Sequence, residues 1–327
     1  MTQEEAEKRI KELCQYPIPD GFLEAEERNG YLVSAKMKRV WAVQLDMMQK
    51  LLEVCKKHGL QVWADFGTLL GAVRHHGYIP WDDDMDFVMF REDYDRLVEI
   101  APNEFNHPYF FQCWETDKRY SRSHAQIHMD GTTAVCSWDG LMMPSHLHQG
   151  IIIDIFPFDV IPEYSEDFHL LREELSLKLL CLRQSYFFDL LHPIRSIKNK
   201  LRFDTIVKEY KYRLLAVRRY NQGQFVSYAS ESNEYRMEKR WYDETVFLPY
   251  EYLNIPVPSD YHEILSVYYG DYMTPVQSPC HTYWKLDPDT DYRYYLSEKK
   301  RMFRKIRRKN LVRRVKRIFK RILCKNS

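Results

Sequence analysis

Glycine is scarce in this sequence, with 11 residues among 327 against 24 tyrosines and an aromatic share of 15%. That imbalance points to a tyrosine-rich surface or groove. There is no internal repeat and no low-complexity stretch, which excludes a linker-rich or repeat architecture. The seven cysteines stand at 14, 55, 113, 136, 181, 280 and 324, odd in number and without a C-x-x-C pair. A disulfide or zinc framework is therefore excluded, and free thiols in a reducing compartment are expected. No run approaches the ~20 apolar residues needed to span a bilayer. The N-terminus, MTQEEAEKRIKEL, is too polar for a signal peptide. The expected location is cytoplasmic, peripheral on the inner face of the cytoplasmic membrane.

The balance of 45% apolar and 29% charged residues is that of a globular chain with length for a sizeable core. Its net charge of +1 conceals an asymmetry. From Lys299 onward there are 15 Lys and Arg and no Asp or Glu, so the first 298 residues carry 33 basic and 47 acidic groups, a net of −14. In the tail, Leu311, Val315, Ile318 and Ile322 recur at helical spacing among arginines and lysines. This is the pattern of a basic amphipathic helix lying on an anionic membrane. Nucleic-acid binding is the rival reading, but an apolar stripe has no use against a phosphate backbone.

Periodicity predicts a long amphipathic helix from Ala35 to His58, through Met37, Trp41, Leu45, Met48, Leu52 and Cys55, with Gly59 as its stop. Strands are predicted at Gln61–Phe66, Asp84–Phe90, Tyr109–Trp114, His124–Met129 and Ile151–Phe156, the last ended by Pro157. A helix is predicted over Arg91–Ile100. From Ser165 to about Arg240 the pattern is helical, broken at His192-Pro193. Asp260 with Glu263 resembles a capping box for a helix that Gly270 ends. The chain divides into a lead-in (1–34), a mixed catalytic core (35–164), a mostly helical lobe (165–298) and the basic tail (299–327). Mixed strands and helices followed by helices predict an α+β fold.

The stretch Phe66–Phe87, FGTLLGAVRHHGYIPWDDDMDF, carries the chemistry. Side chains two apart in a strand face one way, so Asp84 and Asp86 should share a face. Carboxylates that close repel unless a cation neutralises them, and Mg²⁺ (or Mn²⁺) suits one or two carboxylates plus phosphate and water. Acidic runs are commonly solvated turns. This one leads into an apolar strand downstream of a Gly-Thr turn. Asp154, inside IIIDIF, is an acid in a buried strand, expensive unless paired, protonated or metal-bound. A third carboxylate completes a metal site able to clamp the attacking and leaving oxygens of a phosphoryl displacement. Gly67 and Thr68 at a helix start offer backbone N–H groups to a phosphate, and Arg74 could reach it bidentately. The histidine pairs His75/His76, His124/His128 and His146/His148 lack a completing Glu or Cys and are expected to be structural or surface groups rather than zinc ligands.

Together these segments resemble the LicD family. The carrying residues are Gly67-Thr-Leu-Leu-Gly-Ala-Val-Arg-His-His-Gly-Tyr-Ile-Pro-Trp-Asp-Asp-Asp-Met-Asp86, Gly131-Thr-Thr133, Gly150-Ile-Ile-Ile-Asp-Ile-Phe-Pro-Phe-Asp159 and Tyr268-Tyr-Gly-Asp-Tyr-Met273. Fukutin-type proteins share a similar arrangement. The resemblance, covering about residues 35–285, implies a nucleotidyltransferase-like fold that moves phosphocholine or a related phospho-alditol from a CDP-activated donor, such as CDP-choline, to a glycan or lipid-linked glycan acceptor. It implies Asp84, Asp86 and Asp154 as metal carboxylates, with Asp82 a lesser contributor. Rival readings are a template-independent nucleotidyltransferase acting on RNA and a non-catalytic binding protein for nucleic acid or anionic membrane. The acidic body opposes the first and the intact carboxylate set opposes the second.

Overall fold

Ser34 and Gly59 bracket the longest helix, as expected from their chemistry. The Ser34 hydroxyl accepts from the Met37 N–H, and Gly59 takes the left-handed conformation that closes the last turn. The computed structural model describes residues 1–136, 147–187, 193–229, 235–276 and 283–298, with isolated positions between 301 and 312. The expected amphipathic helix of the tail and the histidine at 146 lie outside the described residues. Helix α1 (Gln3–Leu13) is opened by a capping box between Thr2 and Glu5. A short hairpin, β1 (Glu26–Arg28) and β2 (Tyr31–Val33), leads into α2 (Ala35–His58). Along α2, Trp41, Leu45, Met48 and Leu51 are buried against the sheet.

That sheet is mixed. Strand β3 (Trp63–Ala64) is followed by helix α3 (Phe66–His75), β4 (Asp86–Phe90), helix α4 (Arg91–Glu104), β5 (Tyr109–Gln112), β6 (Ala125–Met129), β7 (Thr133–Cys136) and the ten-residue β8 (Ile152–Ile161). Strand β8 is the centre. Parallel β4 lies on one side, with Asp86 opposite Asp154, and antiparallel β3 lies beyond it. On the other side β6 pairs with residues 152–155, and β9 (Phe225–Ser227) pairs with 159–161.

Pro157 does not end β8. The Asp154 N–H points toward β4 and bonds the Met85 carbonyl at 2.8 Å, so odd-numbered residues direct their N–H groups to the opposite side. Pro157 falls there in the gap between β6 and β9, where no donor is needed.

Helices α5 (Glu166–Phe187) and α6 (Pro193–Leu214) form a hairpin. Phe168, Leu175 and Leu179 on one, with Phe203 and Tyr210 on the other, share a small core with Ile161 and Val217. The helical pattern expected up to about Arg240 stops at Leu214. Beyond it the chain returns to the sheet through β9 and β10 (Met237–Glu238), elements too short to leave a periodic signal. Gly223 permits the return, since a Cβ there would lie 2.3 Å from the Ile161 carbonyl oxygen.

A hairpin, β11 (Thr245–Tyr250) and β12 (Leu253–Pro258), precedes helix α7 (Tyr261–Tyr269), and β13 (Tyr283–Asp287) pairs with β7. Gly270 ends α7 as expected, but Asp260 makes no side-chain cap bond, so the expected capping box does not form there. Among the described residues no helix is long and apolar enough to cross a membrane.

Candidate active site

The start of α3 and the start of β4 hold each other by two backbone bonds of one residue. The Asp86 N–H donates to Thr68 Oγ1 at 2.9 Å, and the Asp86 carbonyl accepts from the Asp65 N–H at 2.9 Å. Thr68 is buried, and its hydroxyl fixes the backbone that carries Asp86. Helix α3 begins at Phe66, so Gly67 and Thr68 lie inside its first turn rather than ahead of it. A Cβ on Gly67 would stand 2.7 Å from Asp82 Oδ2, so glycine is what lets that carboxylate approach the helix N-terminus. Anionic groups are favoured at that end by the unsatisfied N–H groups and the helix dipole.

Asp84 does not belong to the regular strand, which begins at Asp86. The carbonyls of Asp82 and Asp83 are taken by Trp41 Nε1 (3.0 Å) and Gln44 Nε2 (2.8 Å), so α2 rather than a neighbouring strand satisfies this segment. Strand alternation therefore does not set the direction of Asp84. The turn instead brings Asp82, Asp83 and Asp84 together, with one carboxylate oxygen of each within 4.8 Å of the others. Asp86 and Asp154 stand opposite each other in register on adjacent strands, and Asp84, Asp154, Asp82 and Asp65 all act electrostatically on Asp86. Burial first, and then that negative charge, pushes the Asp86 carboxyl well above its ordinary value.

Asp154 is only 8% exposed and behaves in the opposite way. Burial opposes its ionisation, but His124, Arg122 and Gln126 outweigh burial and hold its pKa below the ordinary value. Gln126 Nε2 donates to Asp154 Oδ1 at 2.7 Å. His124 Nε2 lies 2.9 Å from the same oxygen, in an approach off the line of the ring N–H. A cavity of ≈ 230 Å³ opens beside His124, lined by Tyr94, Trp114, Arg122 and Tyr210 among others.

Asp65, at the N-cap of α3, is buried and accepts from the hydroxyls of Tyr228 and Tyr268, the latter at 3.1 Å. Burial pushes its carboxyl up to about 7. Arg74, in the last turn of α3, donates to the Tyr272 carbonyl at 2.6 Å and to His75 Nε2 at 3.0 Å. These bonds tie α3 to the segment after α7. All ligand atoms offered by the aspartates are hard carboxylate oxygens, which is the donor set that Mg²⁺ or Mn²⁺ takes and that zinc or copper sites use least.

The LicD/FKTN/FKRP nucleotidyltransferase domain matches residues 59–190, which contain α3, β4, β8 and every aspartate of this cluster. Over those residues the chain is similar to the LicD family. It is 25% identical over 250 residues to the lipopolysaccharide cholinephosphotransferase LicD of Haemophilus influenzae, covering 71% of this chain and 89% of that protein. Shorter stretches match uncharacterized proteins of two rickettsiae. That of Rickettsia prowazekii is 41% identical over 80 residues, covering 24% of this chain and 29% of that protein. That of Rickettsia typhi is 43% identical over 56 residues, covering 17% and 18%.

Of the expected carboxylates, the structure sets Asp86 opposite Asp154 on adjacent strands, with Asp84 acting electrostatically on Asp86 but clustered with Asp82 and Asp83, and it sets Gly67 beside Asp82. Sequence reasoning missed Asp65, Arg122 and Gln126, and read His124 only as a structural or surface histidine. Gln126 left one usable signal. It shares the parity of His124 and His128 in a strand otherwise apolar at Ala125, Ile127 and Met129.

Proposed function

We propose that this chain transfers a phospho-alcohol from a CDP-linked donor to a hydroxyl of a cell-surface glycan or lipopolysaccharide precursor, releasing CMP. The observation that carries the reading is the placement of Asp86 opposite Asp154 in register beside the first turn of α3, with Asp84 acting electrostatically on Asp86. The Haemophilus relative, named a lipopolysaccharide cholinephosphotransferase, supports phosphocholine as the group moved.

Asp84, Asp86 and Asp154 would hold Mg²⁺ or Mn²⁺, with Asp82 at the rim. Such an ion supplies charge neutralisation for the donor diphosphate and its leaving oxygen. The protein's own contribution is position and field. Thr68 and Asp65 fix the Asp86 backbone, and Gln126 and His124 fix the Asp154 carboxylate. The acceptor oxygen forms a bond to the donor's alcohol-bearing phosphorus, and the bond from that phosphorus to the CMP oxygen breaks. The acceptor hydroxyl proton passes to Asp154, which its neighbours keep ionised. Catalysis of this kind is mostly orientation and charge stabilisation. A lipid-linked acceptor would place the enzyme peripherally on the inner face of the cytoplasmic membrane, held by residues 299–327.

The test is to incubate purified full-length protein with CDP-choline, CDP-ethanolamine, CDP-glycerol and CDP-ribitol in Mg²⁺ and follow CMP. Release that EDTA and Asp86→Asn both abolish supports the reading. No CMP from any of the four, with or without a lipid-linked glycan, overturns it.

A further inference from the structure

Helices α5 and α6 bury one side of each in the small core they share and expose leucines on the other. On α5, Phe168, Leu175, Leu179 and Leu182 are buried. Leu177, two residues from Leu175 and so about 200° round the helix, is 61% exposed, and Leu180 is 50% exposed. On α6, Phe203 is buried, while Ile197 and Leu201, one turn apart, are 59% and 76% exposed. A single exposed leucine is ordinary, but these four occupy the half of one hairpin in which its helices join, and apolar surface gathered in this way marks a contact. At its other end the hairpin is fixed to the rest of the chain. There Phe168 meets Tyr220 edge-on at 5.4 Å, Tyr210 meets Trp114 at 4.9 Å, and Lys211 pairs with Glu115.

The outer half also carries charge of one sign. The sequence from Leu175 to Phe187 and from Pro193 to Phe203 holds Lys178, Arg183, Arg195, Lys198, Lys200 and Arg202, and no Asp or Glu. The acids of the two helices, Glu166, Asp167, Glu173, Glu174, Asp204 and Glu209, stand nearer the base. This basic end belongs to a body whose first 298 residues are net acidic by 14 charges. Leucines exposed among Lys and Arg complement an anionic bilayer, whose headgroups attract the cations while the apolar side chains enter the acyl boundary. Other occupants fit less well. A second copy would oppose its own basic groups, the tail is itself basic, and a nucleic acid has no use for the leucines.

We propose that the outer half of the α5–α6 hairpin is a second membrane-contact surface, which seats Leu177, Leu180, Ile197 and Leu201 in an anionic bilayer once the basic tail has brought the chain there. The proposal goes beyond the transfer reading and does not depend on its chemistry. A contact of this size is weak alone and becomes effective when the tail tethers the chain, because tethering raises the local concentration. Two separate contacts also fix an orientation, which one helix does not. At the base of the hairpin, Tyr210, Lys211 and Leu214 line the cavity beside His124. From Leu201 to Leu214 the helix rises about 20 Å. The carboxylate site is thereby held up to that distance above the lipid, where the glycan of a lipid-linked acceptor reaches it.

The experiment measures the affinity of the full chain for vesicles of equal parts phosphatidylcholine and phosphatidylglycerol by sedimentation. Leu177→Glu with Leu201→Glu should weaken binding by on the order of tenfold or more, whereas Leu177→Phe with Leu201→Phe should retain it. Arg183→Ser with Arg202→Ser leaves the leucines in place and keeps the test open should the glutamate pair fail to fold. It should weaken binding by on the order of tenfold at low salt and by less at high salt. Unchanged affinity in the glutamate and serine pairs overturns the surface, as does a wild type that binds pure phosphatidylcholine equally well. A wild-type dimer that the glutamate pair dissociates, with vesicle binding unchanged, gives the face to a second copy and overturns the lipid assignment. CMP release from a soluble CDP-alcohol should be the same in every variant. Its absence from the wild type removes the transfer reading and leaves the contact surface to be judged by the vesicles alone.

Discussion

Asp86 and Asp154 face each other across two parallel strands, and their carboxyls are driven in opposite directions. Burial and four neighbouring acids raise Asp86, while His124, Arg122 and Gln126 overcome burial and lower Asp154. Two acids in register on one sheet face would otherwise behave alike. The asymmetry gives the pair one carboxylate that is ionised unaided and one whose ionisation needs a cation.

Asp84→Asn and Asp86→Asn should each lower CMP release by on the order of 10³-fold or more, the scale of a lost electrostatic contact at a reacting centre. For Asp86 the fold should not suffer. Without divalent metal Asp86 holds its proton, so the amide replaces a neutral carboxyl and the melting temperature in EDTA should stay level. Near wild-type turnover with saturating donor, or a collapse of melting temperature in EDTA, would contradict this account of Asp86.

Asp154→Asn should also remove activity, whereas Gln126→Leu should act at one remove. Gln126 Nε2 orients Asp154 Oδ1 from 2.7 Å, and supporting partners of this kind are worth ~10–100-fold in activity or metal affinity. The loss should therefore appear both in turnover and in the Mg²⁺ concentration at half activity. Calorimetric titration with Mn²⁺ offers a second readout. If Asp154→Asn melts early yet turns over normally, Asp154 is a structural acid.

The sequence made the long elements legible because their signals are local. Helix α2 shows apolar residues at helical spacing from Met37 to Cys55 and a terminal glycine, and its bounds match the expected Ala35–His58. The short range of those signals also explains the errors. Nothing local in DDDMDF shows that Trp41 and Gln44, some forty residues upstream, take the carbonyls of Asp82 and Asp83 and so delay β4 to Asp86. Pro157 reads as a strand end until the gap between β6 and β9 is known. Asp65 looks like an ordinary cap, and only the fold brings Tyr228 and Tyr268 onto it.

The raised carboxyl of Asp65 makes stability depend on pH. Its ordinary value is 3.8 and its folded value about 7, so between these the folded state binds the proton more tightly than the unfolded chain. Stability from this group is therefore fully present below about pH 4 and is lost as pH rises toward 7. In EDTA the melting temperature should decline across that window, and Asp65→Asn should flatten the decline. The residual slope belongs to Asp86, shifted in the same direction. Equal slopes in wild type and variant would show that Asp65 is ionised in the folded protein throughout.

The basic tail links location to substrate. A lipid-linked acceptor is confined to the membrane plane, so an enzyme held there meets it at a higher local concentration. Each Lys or Arg near an anionic surface contributes about 1 kcal/mol, and the stripe of Leu311, Val315, Ile318 and Ile322 adds apolar burial. Deleting residues 299–327 should release the protein from anionic vesicles and slow transfer to a lipid-linked acceptor. Hydrolysis of a CDP-alcohol to CMP in solution needs only the carboxylate site and should be little changed. Raised salt should reproduce part of the release, because screening weakens the charge attraction and leaves the stripe intact. A truncated protein that still sediments with anionic vesicles at physiological salt would show that the anchor lies elsewhere in the chain. Loss of RNA binding on truncation, without loss of vesicle binding, would assign the tail to nucleic acid.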